Sequence, residues 1–339
     1  MGAERLVEVW RGGLLESSHV GHAVVVDREG DVLACTGDPE RRVFLRSSAK
    51  PFQSMAVVLS GAADRFGFED RDLAVATASH TGEDVHLQQV RHLLHLVGMH
   101  ERDLGCGVHP PTDRAAQEEL ARRGEQPSVL HNNCSGKHAA MLGVARALGA
   151  DPGHYLDAGE PGQRLVRSVV SAMCSVPEDE IDVGIDGCSA PVFAVPLRAM
   201  ALGYARLADP SGLPADLRSA ALRVRGAMLA HPYLVAGRGQ VGVDIMRVGA
   251  GRLVAKTGAE AVFGVADLVR GQGFALKIED GLERGVAPAL IEGLRQAGFL
   301  DEDQVRELEP WRAHDLVNFR GLTVGRVVPN LNLRPLVRR

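Results

Sequence analysis

An α+β chain, with an antiparallel sheet beside a helical lobe, is the fold class this sequence predicts, and three observations predict it. Apolar runs rich in strand formers open the chain at residues 5–10, 19–26 and 31–36, with Asp27-Arg28-Glu29-Gly30-Asp31 as the turn between the second and third. Strand-like runs return late, at 244–248, 252–256, 273–278 and around 323–328. The region between is mainly helical in its apolar spacing, over roughly residues 80–240. At 339 residues the chain exceeds the length at which one compact core is usual. The expectation is one two-lobed domain over 1–339, its sheet drawn from both chain ends, with a cleft between the lobes.

Composition narrows the function classes. Hydrophobic residues at 45% and charged residues at 24% are ordinary for a globular protein, and aromatics at 4% leave Val, Leu and Ala to fill the core. The net charge is −5 (38 basic against 43 acidic residues) and the basic residues are scattered, which gives nucleic-acid binding no support. The first residues lack the basic and apolar regions of a signal peptide, and no segment approaches the length of a membrane span, so a cytoplasmic protein with no membrane partner is expected. Five cysteines, Cys35, Cys106, Cys134, Cys174 and Cys188, are odd in number and widely spaced. That suits reduced thiols or a metal site better than a disulfide framework.

After the opening strands, Val43-Phe44-Leu45 is a short apolar run, and Arg46-Ser47-Ser48-Ala49-Lys50-Pro51-Phe52 follows, leading into Met55–Leu59. This reads as strand, turn, helix. Ser47 and Lys50 stand at i and i+3, so a helix starting here puts hydroxyl and amine on one face. Serine is a preferred N-cap, and Pro51 falls in the first turn, where its missing N–H costs little. A serine hydroxyl becomes a nucleophile when a base takes its proton, and lysine can be that base once burial or nearby positive charge lowers its pKa. Standing alone, S-x-x-K is a weak signal and reads as a capped helix with a solvated lysine.

The apolar run Leu73–Ala78 reads as a strand that delivers Ser79-His80-Thr81-Gly82-Glu83, and a helical stripe spans residues 85–96. Ser79 thus stands at an element end, although Ser79 and Thr81 would equally suit capping the next helix. Cys106–Pro111 reads as an irregular turn and 115–123 as a polar helix. His131-Asn132-Asn133-Cys134-Ser135-Gly136-Lys137-His138 then opens a helix over Ala139–Leu148. Further on come a helix at 162–174, a strand Ile181–Ile185, the turn Asp186–Pro191, helices at 194–206 and 214–230, the helix-ending His231–Gly237, and a helix at 284–297.

Lys256-Thr257-Gly258 follows an apolar run, and S-x-x-K with a later K-T-G is the signature of the penicillin-binding proteins and serine β-lactamases. Those enzymes work outside the cytoplasm, which weighs against that identity here. The segments Ser47–Pro51, Ser79–Glu83, Asn133–His138, Asp186–Pro191 and Lys256–Glu260, taken in order, resemble the Rhizobium etli-type asparaginases, the thermolabile asparaginase II family. The resemblance implies a β-lactamase/glutaminase-like fold, a homodimer, and hydrolysis of L-asparagine to L-aspartate and ammonia. It implies Ser47 with Lys50 and Ser79 with Lys256 as catalytic Ser-Lys pairs. It implies zinc, one per chain, held by Cys134, Lys137 and Cys188 and orienting the substrate. Substrate contacts are expected from Arg46, His80, Asn133, His138, Asp186, Gly258, Ala259 and Glu260. The family pattern also has a cysteine shortly before Lys-Thr-Gly, and this chain has none beyond Cys188. Without the resemblance, Cys134 and Cys188 read as small buried hydrophobes. Glutaminase or another serine acyl transferase of the same scaffold is the enzyme alternative, since one methylene distinguishes the two amino acids. A zinc- or amino-acid-binding regulator without turnover is the alternative of another class.

Overall fold

The computed structural model describes residues 2–336. The chain forms two compact units. One comprises the chain up to Ser48, Ala194–Asp209 and the chain from Asp244 onward; the other comprises Ala49–Phe193 and Pro210–Val243.

The first unit is built on an antiparallel sheet in the order His314–Val317, Thr323–Pro329, Glu4–Arg11, Leu14–Asp27, Gln272–Ile278, Val262–Asp267, Leu253–Gly258. Both chain ends contribute, as the sequence predicts: Val9 stands opposite Val327, and Val24 opposite Ala275. Val32–Thr36 pairs with the far half of Leu14–Asp27 and with Arg334–Pro335. Every residue of Val262–Asp267 is buried, so both faces of the sheet are covered there. The Leu197–Ala208 helix packs against that strand and its neighbours, and the Val286–Gln296 helix also lies against the sheet.

The second unit is helical. Its core joins Leu73, Val75, Val90, Leu93, Leu142 and Ala145, contributed by the helices Asp70–Ala76, Asp84–Leu96 and Ser135–Ala147. The helices Lys50–Leu59, Pro161–Cys174 and Ala215–Ala230 pack alongside.

Several local expectations are corrected. Leu73–Ala78 is no strand; it lies in and just beyond the Asp70–Ala76 helix. The run lacks the alternation of a half-buried strand, and a start signal precedes it: the Glu69 N–H donates to Asp72 Oδ2 at 2.9 Å. Residues 244–248 belong to the Val241–Val248 helix instead of a strand. Residues 194–196 end the strand Pro191–Pro196, and helix begins only at Leu197, because Pro196 has no N–H and its Val- and Phe-rich approach favours strand. Strands Val262–Asp267 and His314–Val317 were not anticipated. The helical unit also starts earlier than residue 80, at Ala49.

Candidate functional site

In the first unit, strand Arg42–Phe44 pairs with Ala194–Pro196 and feeds a 3-10 turn over Arg46–Ala49. Ser47 is therefore not an N-cap: the α-helix starts at Lys50 with Ala49 in the cap position. Arg46 turns the chain with a φ of 49°, in the left-handed region. The turn is fixed from below. The fully buried Tyr204 donates its hydroxyl hydrogen to Ser48 O at 2.7 Å, and Ser48 spends its own hydroxyl on Leu45 O at 2.5 Å. Ser47 is left half-buried between them in sequence.

The Lys256-Thr257-Gly258 strand lies against this same turn. A Cβ on Gly258 would stand 2.8 Å from Leu45 O and 3.1 Å from Ser48 N, so only glycine permits the approach. Lys256 is 1% exposed, and its ammonium donates to Thr257 O at 2.9 Å. Ala259 and Glu260 occupy the exposed end of the hairpin, where Glu260 has a φ of 61° and its carbonyl accepts from Lys277 Nζ.

In the second unit, Lys50 is the centre. It is fully buried, and its Nζ donates to Ala78 O, to Ser79 Oγ at 3.0 Å and to Asn133 O at 3.4 Å. Burial pulls its pKa down; the second ammonium at Lys137 acts in the same direction, while the sulfurs of Cys134 and Cys188 oppose it. Ser79 follows the Asp70–Ala76 helix, and its N–H is anchored on Val235 O at 2.9 Å. Lys50 is thus one amine at the Ser79 hydroxyl, a contact the sequence spacing did not suggest.

The Cys134–His138 segment spans the start of the Ser135–Ala147 helix, which begins four residues earlier than its apolar pattern implies. Asn132 holds that start: its Oδ1 accepts the Cys134 N–H at 2.9 Å and its Nδ2 donates to Cys106 O at 2.8 Å. Cys188 comes from the tight turn Asp186–Ser189, closed by Ser189 N–H to Asp186 O at 2.9 Å, with Ser189 at a φ of 70°. Lys137 Nζ lies 3.0 Å from Cys188 Sγ, and Cys188 Sγ lies 3.7 Å from Asp186 Oδ2. Cys134, Lys137 and Cys188 are therefore neighbours. A hydrogen bond from Cys188 and the charges of Lys50 and Lys137 outweigh burial and hold Cys134 well below the usual thiol range, while that same bond and burial push Cys188 up. Burial works against the Lys137 ammonium, but the Cys134 and Cys188 sulfurs outweigh it and raise its pKa.

Among the described residues no three His, Cys, Asp or Glu side chains group to hold a metal ion, so a metal site here depends on the Lys137 amine. Two thiolates suit zinc, and an amine joins them once it loses its proton. His138 stands beside them in sequence; its Nδ1 is 2.7 Å from the Tyr155 hydroxyl, while Nε2 is buried without a partner. This donor set fits zinc, with proton release on binding. His80, expected as a substrate contact, is also held by the protein. Its Nε2 lies 2.9 Å from Ser135 Oγ and its Nδ1 accepts the Gly82 N–H at 3.2 Å, so both ring nitrogens serve the protein. Asn133 is half-buried, and its N–H donates to His109 Nε2 at 2.8 Å. Among the described residues no helix is long and apolar enough to cross a membrane.

Lys50 against the Ser79 hydroxyl, beside the Cys134 and Cys188 thiols, is the cluster that the second unit gathers in this α+β chain. Residues 7–329 match the family model of L-asparaginase II, and the chain belongs to that family, whose members are amidohydrolases. No curated protein matches the chain. Solved structures similar to it include a β-lactamase (Mb2281c) from Mycobacterium bovis, at 16% identity and a TM-score of 0.44, covering 83% of this chain and 95% of that one. Another is Mglu in its native form in 4.3 M NaCl, at 16% identity and a TM-score of 0.38, covering 83% of this chain and 61% of that one.

Proposed function

We propose that this chain hydrolyses the side-chain amide of L-asparagine to L-aspartate and ammonia through an acyl-enzyme on Ser47. The observation that carries this reading is the fully buried Lys50, whose Nζ lies 3.0 Å from Ser79 Oγ, three residues after Ser47 in the chain. Ser48 is no rival nucleophile, since it is 0% exposed and its hydroxyl is bonded to Leu45 O. Lys50 takes the Ser47 proton directly or through the Ser79 hydroxyl, and Ser47 Oγ attacks the amide carbon. The C–N bond breaks as the nitrogen receives that proton, and ammonia leaves. Water then adds to the ester carbon, gives up its proton to the same relay, and releases aspartate and the free Ser47 hydroxyl. Lys256 is proposed as the further proton-handling lysine. Arg46, His80, Asn133, His138, Asp186, Gly258, Ala259 and Glu260 remain proposed substrate contacts.

Cys134, Lys137 and Cys188 would hold zinc, which when bound supplies positive charge that orients the substrate. The reading includes a homodimer, as the family resemblance implies, and the cytoplasmic location expected from the sequence. Ammonia release from asparagine, with glutamine in parallel, tests it. Release from asparagine that disappears in Ser47→Ala supports it, and release from neither amide by folded protein overturns it.

A further inference from the structure

Resting on that reading, we propose that Glu83 is a positioning residue whose carboxylate fastens the Ser79-bearing loop to the Tyr233–Arg238 segment and so keeps the Ser79 hydroxyl on Lys50.

Glu83 occupies the N-cap position of the Asp84–Leu96 helix, where a carboxylate would ordinarily accept helix N–H groups. It accepts none of them. Its oxygens turn elsewhere: Oε1 accepts the Thr81 hydroxyl at 2.8 Å and the Arg238 N–H at 3.0 Å, and Oε2 accepts the Tyr233 hydroxyl at 2.5 Å. The Arg238 guanidinium adds a contact at 3.4 Å and reaches Asp113 at 3.9 Å. One carboxylate, 9% exposed, therefore ties together residues about 150 positions apart in the chain.

Three further contacts join the same two segments. The Ser79 N–H donates to Val235 O at 2.9 Å. The His86 ring stacks between His80, at 5.0 Å and 10°, and Tyr233, at 5.9 Å and 7°. Gly237, at a φ of +112°, sits where a Cβ would be 2.0 Å from Thr81 Oγ1 and 2.8 Å from Glu83 Oε1. The packing leaves no slack, and glycine is the residue that fits it. Ser79 lies outside helix and strand, and these contacts help to hold the loop that carries it. A shift of about 1 Å in a group that relays protons costs on the order of a hundredfold in rate.

The test compares Glu83→Ala, Glu83→Gln and Gly237→Ala with Ser79→Ala. For each, the melting temperature, hydrogen exchange over residues 77–83, and kcat and KM for asparagine are measured. Glu83→Ala and Gly237→Ala should speed exchange at the Ser79 amide and lower kcat by about tenfold or more with KM changed by less than about threefold, because the loss falls on transition-state geometry. Glu83→Gln keeps the acceptor for Thr81 and Arg238 and should recover most of both. Glu83→Ala added to Ser79→Ala should cost little more than Ser79→Ala alone. Folded variants with unchanged exchange, with unchanged kcat, or with losses that multiply with Ser79→Ala overturn the proposal. Should Glu83→Ala not fold, Glu83→Gln and Tyr233→Phe give the same reading with milder losses. Should the wild type release no ammonia, the proposed activity falls, and exchange at Ser79 decides the positioning role by itself.

Discussion

Lys50 Nζ lies 3.0 Å from Ser79 Oγ although 29 residues separate the two in the chain. In the proposed mechanism amine and hydroxyl are parts of one proton path, and such parts are not additive. Lys50→Met and Ser79→Ala should each lower kcat by on the order of a hundredfold or more, and the double variant should be little worse than the more damaging single one. Losses that multiply would show Ser79 and Lys50 working independently, and steady-state kinetics of the three variants decides it.

Ser47→Ala should keep the fold, since the Tyr204 and Ser48 contacts that fix the turn do not involve the Ser47 side chain. Hydrolysis should fall by on the order of a thousandfold or more. Full activity, measured as ammonia release at an unchanged melting temperature, would move the nucleophile to Ser79.

Lys256→Met separates recognition from catalysis. Losing a uniform binding contact raises KM, whereas losing a group used only in the transition state lowers kcat. The expected outcome is the second. A raised KM with kcat intact would make Lys256 a recognition residue for the substrate carboxylate.

Purified protein should carry about one zinc per chain by elemental analysis, following the usual four-coordinate site of two thiolates, a third protein donor and water. Cys134→Ala with Cys188→Ala should abolish it. Because thiolates and a neutral amine must form, occupancy should rise with pH. Zinc content unchanged in the double variant would remove these residues from the site.

Acid should loosen the Ser79 loop. Burial disfavours the Glu83 carboxylate, but hydrogen bonds from Tyr233, the Arg238 backbone and Thr81 outweigh it and hold its pKa below the usual range, with His86 adding in the same direction. A depressed carboxylate pKa contributes stability above its unfolded value of about 4.3, and that contribution is lost as pH falls through the folded value. Protection of the Ser79 amide, corrected for intrinsic exchange, should be flat from about pH 7 to 5.5 and fall below about pH 4. Glu83→Gln should flatten the acid limb; an identical limb in that variant would assign the loosening to another group.

What the sequence discloses is local. Strand alternation at residues 5–10 and 19–26 needs only neighbours, and those strands are present. Motif spacing marks Ser47, Lys50 and Lys256 as candidates, and the family resemblance marks Cys134. Leu73–Ala78 misleads because a short apolar run has no period to read, and the start signal at Glu69 and Asp72 is weaker than that run. The Lys50 to Ser79 contact and the Glu83 clamp were out of reach for another reason. Both depend on where loops far apart in the chain meet, and Tyr233 and Arg238 carry no spacing that points to Glu83.

The pairing of Glu4–Arg11 with Thr323–Pro329 has a consequence during synthesis. On a ribosome the first strands emerge more than 300 residues before their partner, while every segment of the helical unit is already out. The helical unit can therefore assemble as the chain grows, whereas the sheet stays open-edged until Thr323–Pro329 emerges. A nascent chain stalled before residue 323 would leave the edge of Glu4–Arg11 open to pairing with strands of other chains.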